Sequence, residues 1–255
     1  MSVLAGKVAL VTGASRGVGA AIANVLADEG AAVVVNYLKS EKLAEEVVGG
    51  IRGRGGRAVA HQADVTDEDA VKGMVEMAAG EFGPVDVLVN NALPDYRFDP
   101  AGRKDFGNVR WEDFLQQLGG LRGALNCSQA VVPGMVDGGG GRILSILSNL
   151  INNPVVPYHD YTTAKSALLG FSRNLAAELG PHNITVNMVA GGLVDETDAS
   201  APTTEEVRRL VANSTPLRRL GTPEDLARAV LMFASPWSDF VTGQYITCDG
   251  GLVMA

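Results

Sequence analysis

The sequence predicts an α/β fold: a doubly wound, mostly parallel sheet of seven strands with helices on both faces. Three observations carry this. Short β-branched runs alternate along the chain with stretches whose apolar residues recur every three or four positions. The runs are apolar throughout rather than at every second residue, as strands covered on both faces must be. No internal repeat and no linker interrupts the alternation, so residues 1–255 are expected to form one domain.

The elements follow in order. "KVALVTG" from Lys7 is a strand, and "GVGAAIANVLADEG" the helix after it. "AAVVVNY" from Ala31 and "RAVAHQADV" from Arg57 are strands on either side of the helical "KLAEEVVGGIRG". "DAVKGMVEMAAGEFG" leads to the strand "VDVLVNNA" from Val85. A long helical pattern, "WEDFLQQLGGLRGALNCSQAVVPGM", precedes the strand "GRILSILS" from Gly141. "YTTAKSALLGFSRNLAAELG" is a helix before the strand "NITVNMVA" from Asn183. Thr222-Pro223-Glu224-Asp225 is a helix start, with a capping hydroxyl, proline in the first turn and acid behind it. That helix, "PEDLARAVLMFAS", leads to the last strand, "GQYITCDGG" from Gly243. Segments 93–110 and 191–215 are read as loops near the substrate.

Composition limits what the chain does. At 46% hydrophobic and 20% charged it buries a large core. No apolar run approaches the roughly 20 residues of a membrane helix. The N-terminal apolar run already belongs to the first strand, so no secretory leader is expected. Cys127 and Cys248 form neither a disulfide framework nor a metal-ligand set. Both are expected to be buried thiols of a cytoplasmic protein. A net charge of −8 argues against nucleic acid as partner.

Thr12-Gly13-Ala14-Ser15-Arg16-Gly17-Val18-Gly19 follows the first strand and opens a helix. Glycines there permit a tight turn, and the helix N-terminus offers free N–H groups to a pyrophosphate. The second strand ends Asn36-Tyr37-Leu38-Lys39-Ser40, with no carboxylate before Glu41 to take a ribose 2′-hydroxyl. Arg16 and Lys39 stand near that corner, which suits a 2′-phosphate. NADPH is therefore the expected cofactor, with NAD(H) possible.

Two tyrosines, Tyr158 and Tyr161, precede Lys165. Tyr161 is four residues away, on the same helical face. Tyr158 stands two turns off, about 10.5 Å along the axis, and outside the helix start. Only Tyr161 has an ammonium close enough to stabilise a phenolate. Moving a phenol from pKa about 10 toward neutrality takes roughly 4 kcal/mol. Lysine and an oxidised nicotinamide are expected to supply it.

These motifs, together with Asp64-Val65, Asn90-Asn91-Ala92 and Asp249-Gly250-Gly251, resemble the classical short-chain dehydrogenase/reductase family from Lys7 to Gly251. The resemblance implies a Rossmann-like fold and places Gly13, Ser15, Arg16, Gly17, Val18 and Gly19 on the cofactor phosphates. Tyr37 and Lys39 lie at the 2′ position, Asp64 and Val65 on the adenine, Asn90 and Ala92 by the adenosine ribose. Gly192, Val194 and Thr197 fall on the nicotinamide side. Ser148, thirteen residues before Tyr161, is expected to hold the substrate oxygen; Ser145 is expected on the opposite face of the strand. Tyr161 gives the proton, and Lys165 also binds the nicotinamide ribose.

Three positions depart from the pattern. Gly120 stands where an asparagine usually helps hold a water relay to the lysine, and Gly119-Gly120 are expected to kink the helix. Asn126, about 240° around the helix, cannot replace it. Leu93 replaces the glycine of Asn-Asn-Ala-Gly, and Gly191-Gly192 replaces a Pro-Gly.

Within the family the sequence resembles enzymes labelled 3-oxoacyl-carrier-protein reductase. The expected reaction is reduction of a 3-oxoacyl or polyketide-like ketone, carrier-bound or free, to a secondary alcohol. Oxidation of a small alcohol such as a sugar or steroid is the alternative; a non-catalytic cofactor-binding regulator is a further one. An acyl-carrier protein would need a basic patch, for example around Arg208, Arg209, Arg218 and Arg219. Tyr96, Phe98 and Phe106 are candidate substrate-wall residues. A homo-oligomer, tetramer or dimer, is expected through the long helices and the C-terminal strand.

Overall fold

The computed structural model describes residues 2–195 and 197–254; Met1, Glu196 and Ala255 lie outside the described residues. The chain runs β1 (Val8–Val11), α1 (Gly17–Asp28), β2 (Ala32–Tyr37), α2 (Glu41–Gly53), β3 (Arg57–Gln62), α3 (Glu68–Glu81) and β4 (Val87–Asn90). It continues α4 (Trp111–Asp137), β5 (Gly141–Ser148), α5 (His159–Leu179), β6 (Ile184–Gly191), α6 (Glu205–Ser214), α7 (Pro223–Ala234) and β7 (Tyr245–Cys248).

All seven strands form one parallel sheet in the order β3-β2-β1-β4-β5-β6-β7. β1, β2, β4 and β6 are buried along their whole length, including the polar Asn36, Asn90, Thr185 and Asn187. Leu26, Val33, Val35, Val89 and Phe233 belong to the core that α1, α2 and α7 cover on one face. Leu10, Met74, Leu88, Val131 and Ile184 belong to the core on the other, under α3, α4 and α5. Strand order reverses between β1 and β4, and the carboxyl ends of these strands open the crevice where such sheets bind ligands.

The Thr222 cap forms as expected: its hydroxyl accepts from the Asp225 amide while the Asp225 carboxylate accepts from the Thr222 amide. α4 runs through Gly119-Gly120, the expected kink site, as one continuous helix of 27 residues. One expectation changes, at α6, which is a helix inside a segment read as loop. Its signals were present: Thr204 caps the Val207 amide, two glutamates follow, and Val207, Leu210 and Val211 repeat at helical spacing.

Candidate active site

The turn after β1 is set by hydrogen bonds that converge from three strands. Gly13 and Gly17 have φ of +61° and +53°, and a Cβ on Gly19 would stand 2.4 Å from the Gly13 carbonyl oxygen. Asn36 of β2 accepts from the Gly13 amide at 3.1 Å and donates to the Ala63 carbonyl at 3.0 Å. Thr12 Oγ1 accepts from the Asn91 and Ala92 amides at 2.9 and 3.0 Å. Asn36 had no assigned role in the sequence, because its partners come from β1 and from beyond β3. Asn36→Ala is expected to lower folding stability by about 2 kcal/mol, since two buried backbone groups lose their partner. Urea unfolding measures this, and a change under about 0.5 kcal/mol would show that water replaces the amide.

From this turn a cleft of about 780 Å³ extends to both ends of the site. At one end it is lined by Tyr37, Lys39, Ser40, Asp64 and Val65. Arg16 donates to Ser40 Oγ and to the Asp198 carboxylate, so its guanidinium bridges the end of β2 and the segment after β6. Burial, with Glu41 and Glu45 nearby, pushes the Tyr37 phenol up. Asp64 accepts from the Thr66 amide and hydroxyl at 2.8 and 2.7 Å, fixing the turn below Val65. Ser15, Val18, Ala92, Gly192, Val194 and Thr197 also line the cleft. Asn90 does not: it is buried at the end of β4 and borders a separate cavity, while Asn91 faces the cleft.

At the other end lie Ser148, Tyr161 and Lys165, all buried. β5 ends at Ser148, whose hydroxyl accepts from the Leu150 amide and pairs with the Tyr161 hydroxyl. Tyr158 caps α5 from outside, and Tyr161 and Lys165 stand one turn apart within it. Lys165 Nζ lies 5.7 Å from the Tyr161 ring centre and donates to the Ile146 carbonyl at 2.7 Å. Burial lowers Lys165 to about 8 and raises Tyr161 to about 12, the Ser148 hydrogen bond opposing the latter. The expected drop toward neutrality is therefore absent from the chain alone. The ammonium stands over the ring and is turned to a carbonyl, so Tyr161 stays a phenol.

Ser145 is not turned from α5 as expected. Its Oγ lies 3.5 Å from Ser172 Oγ on that helix. It is excluded from the site by distance along β5, three residues or about 10 Å from Ser148. Behind Ser148, Asn149 donates to Asp249, which also accepts from the Gly251 and Val253 amides.

The segment between β4 and α4 forms the wall over Tyr161. Tyr96 stacks on the Tyr161 ring at 4.9 Å and 23°, and Phe98 meets it edge-on at 5.1 Å. Tyr158 closes the cluster, 5.8 Å from Tyr96 and 5.7 Å from Phe98. Phe106 is not in this wall; it is 84% exposed, with its ring 6.0 Å from His159. The wall is clasped to the segment after β6, where the Phe98 amide donates to the Ala199 carbonyl at 2.7 Å and Thr203 Oγ1 to the Phe98 carbonyl at 3.2 Å. Arg208 anchors that segment from α6, donating to the Asp195 carboxylate and to the Ser200 and Thr203 carbonyls.

Two of the sequence departures, Leu93 and Gly120, lie close together around Pro94. A Cβ on Gly119 or Gly120 would stand 3.5 or 3.4 Å from the Pro94 ring. Both distances are ordinary van der Waals contact, so Pro94 packs on the glycine face of α4 and would tolerate a Cβ there. Beside it a cavity of about 20 Å³, room for one water, is lined by Lys165, Asn90, Gln117 and Gly120. Both Asn90 amide atoms and Gln117 Oε1 are buried without a protein partner. Asn126 instead donates to the Val65 carbonyl at 3.0 Å, which fixes the turn at the end of β3. Of the two cysteines, Cys127 is buried, with its thiol pushed up to about 12, while Cys248 is only half-buried.

A parallel sheet with a glycine turn at its switch point, and a Ser-Tyr-Lys set across one cleft from it, defines a nicotinamide-nucleotide oxidoreductase. A family model described as enoyl-(acyl carrier protein) reductase matches residues 13–253. The chain belongs to the short-chain dehydrogenase/reductase family and is an NAD(P)-dependent oxidoreductase. It is 38% identical over 252 residues to the 3-oxoacyl-(acyl-carrier-protein) reductase FabG of Staphylococcus aureus, covering 97% of this chain and 98% of that one. Among solved structures it is similar to 7 alpha-hydroxysteroid dehydrogenase complexed with NADH and 7-oxo glycochenodeoxycholic acid. The TM-score is 0.89 at 36% identity, over 97% of this chain and 94% of that one. A short-chain dehydrogenase from Burkholderia cenocepacia in complex with NADP matches at TM-score 0.87 and 37% identity, over 98% and 99% of the two chains.

Proposed function

We propose that this chain uses NADPH to reduce a ketone to a secondary alcohol, the 3-oxoacyl or polyketide-like class being the first candidate. The observation that carries it is the buried Tyr161 phenol, held protonated and paired with Ser148 in the same cleft of about 780 Å³ that the glycine turn lines. The glycine turn fits the group: its backbone is bare where a pyrophosphate must approach, and the α1 N-terminus lies behind it.

In this reading the turn from Gly13 to Gly19 takes the phosphates, Asp64 and Val65 the adenine, and Arg16, Tyr37, Lys39 and Ser40 the 2′-phosphate. Lys165, Gly192, Val194 and Thr197 hold the nicotinamide end. Bound NADPH supplies a hydride to the carbonyl carbon. Ser148 orients the carbonyl oxygen, and Tyr161 transfers its proton to that oxygen, so a neutral alcohol leaves. Lys165 lies below the phenol and carries positive charge below about pH 8. Tyr96 and Phe98 exclude water above it. The test is NADPH consumption over a ketone panel; no turnover of any ketone overturns the reading.

Dissociation constants are expected to favour NADPH over NADH by about tenfold, 1.4 kcal/mol, and by little once Arg16 is alanine. Equal affinities in the unaltered enzyme would assign the Arg16–Lys39 corner another role. Alcohol oxidation stays as a second reading, supported by the likeness to a hydroxysteroid dehydrogenase.

Docking of a carrier protein has less support than the reaction. Arg208 is turned inward, Arg219 pairs with Asp225, Arg209 with Glu205, and Arg218 with the Asn213 carbonyl. These four do not form a free basic patch. We read residues 1–255 as one cytoplasmic catalytic unit that associates with its own copies. Trp111 and Leu115 on α4, 64% and 52% exposed, give the apolar surface for this. Among the described residues no helix is long and apolar enough to cross a membrane. Sedimentation is expected to report a dimer or tetramer; monomer alone at micromolar concentration would count against it.

A further inference from the structure

The wall above Tyr161 carries a statement about substrate class. Three aromatic side chains besides Tyr161 meet at one point, with ring centres 4.9 to 5.8 Å from one another's partners and planes inclined at 23° to 88°. The four rings also line the cleft, where a flat ring can pair with them as they pair with one another, because ring faces are negative and edges positive. Tyr96 is held there chiefly by those ring contacts. Its one side-chain hydrogen bond, to Asp160, is 3.4 Å long. A ring entering among these side chains replaces the contacts it disturbs in kind. A linear acyl chain does not.

Charge points the same way. Among the described residues that line the cleft, the basic ones are Arg16, Lys39 and Lys165. All three lie on the cofactor side of the site. The substrate side is lined by Leu93, Pro94, Leu150, Val155, Val207 and Leu252 with the aromatic cluster, and by Asp95 and Gln116. Among the described residues no lysine or arginine lines this side, so a substrate carboxylate held there would meet Asp95 and no lining cation.

We propose that the substrate is a neutral ring-bearing ketone, aryl or fused alicyclic. Its ring is received among Tyr96, Phe98 and Tyr158, and its carbonyl oxygen reaches Ser148 and Tyr161. This rests on the ketone-reductase reading above and narrows it. Hydride adds to the carbonyl carbon from NADPH, the Tyr161 proton adds to oxygen, and the ring is unchanged.

The test compares kcat/KM with NADPH for three probes: tetralone, the linear decanone of equal carbon number, and the acetoacetyl thioester of N-acetylcysteamine. Tetralone is expected to exceed both others by about tenfold, which corresponds to about 1.4 kcal/mol. Tyr96→Leu removes the ring and keeps an apolar side chain. It is expected to lower kcat/KM for tetralone about tenfold and to bring the tetralone-to-decanone ratio near unity, while Tyr96→Phe keeps the preference. NADPH binding, followed by fluorescence, reports that each variant is folded. Equal or better turnover of decanone or the thioester overturns the proposal and leaves the reductase reading standing, as does a Tyr96→Leu loss equal for all probes. No turnover of any probe by the unaltered enzyme overturns both.

Discussion

Tyr161→Phe ends turnover while NADPH still binds. A positioned general acid contributes about 10²–10⁴-fold, and Ser148 is left to hold the substrate oxygen alone. Phenylalanine fills the same ring volume, so the contacts with Tyr96 and Phe98 and the packing of α5 survive. The loss is therefore one of chemistry, read as kcat at saturating ketone with an unchanged melting temperature. Tyr158→Phe keeps most of the activity, because its ring belongs to the wall and its backbone, not its side chain, occupies the N-cap of α5. The pair of variants decides which tyrosine works: a dead Tyr158→Phe beside a normal Tyr161→Phe would falsify the site described above.

Lys165→Met produces the other large effect, lowering both rate and cofactor affinity. It removes the ammonium and leaves the Ile146 carbonyl, now its acceptor at 2.7 Å, without a partner in a buried site. That costs about 1–3 kcal/mol of stability in addition to the loss of function. The pH dependence follows from the shifts. Reduction needs the Tyr161 proton, and the phenol keeps it up to about pH 12 in the free chain. Lys165 loses its charge above about pH 8. With the acid still protonated and the cation gone, reductive kcat/KM is level below about pH 8 and declines as pH rises through it. This profile reports free-enzyme groups. A profile flat to pH 10, or a Lys165→Met enzyme with unchanged cofactor affinity, would remove the lysine from both tasks.

Much of this was legible from residue order, and the reasons differ by element. β1 and β4 show themselves because a strand buried on both faces has no polar side to confuse its pattern. The glycine turn and the Tyr161–Lys165 pair are local in sequence, so spacing alone places them. What was missed depends on partners far along the chain. Asn36 matters through Gly13 and Ala63, and Pro94 through glycines on α4. The four arginines read as a docking patch have long side chains whose direction is set by Asp195, Glu205, Asp225 and a backbone carbonyl. Phe106 and Phe98 looked alike in sequence; only the hydrogen bonds to Ala199 and Thr203 turn one of them into the wall.

The clasp between Phe98 and Ala199 joins segments 101 positions apart in the chain. Neither segment supplies the other with a covalent tether, so the Phe98 amide is shielded from solvent only while both are in place. Its deuterium uptake thus reports the separation of these two segments. The protection of that single proton reports the free energy of opening this contact, independently of any chemical step.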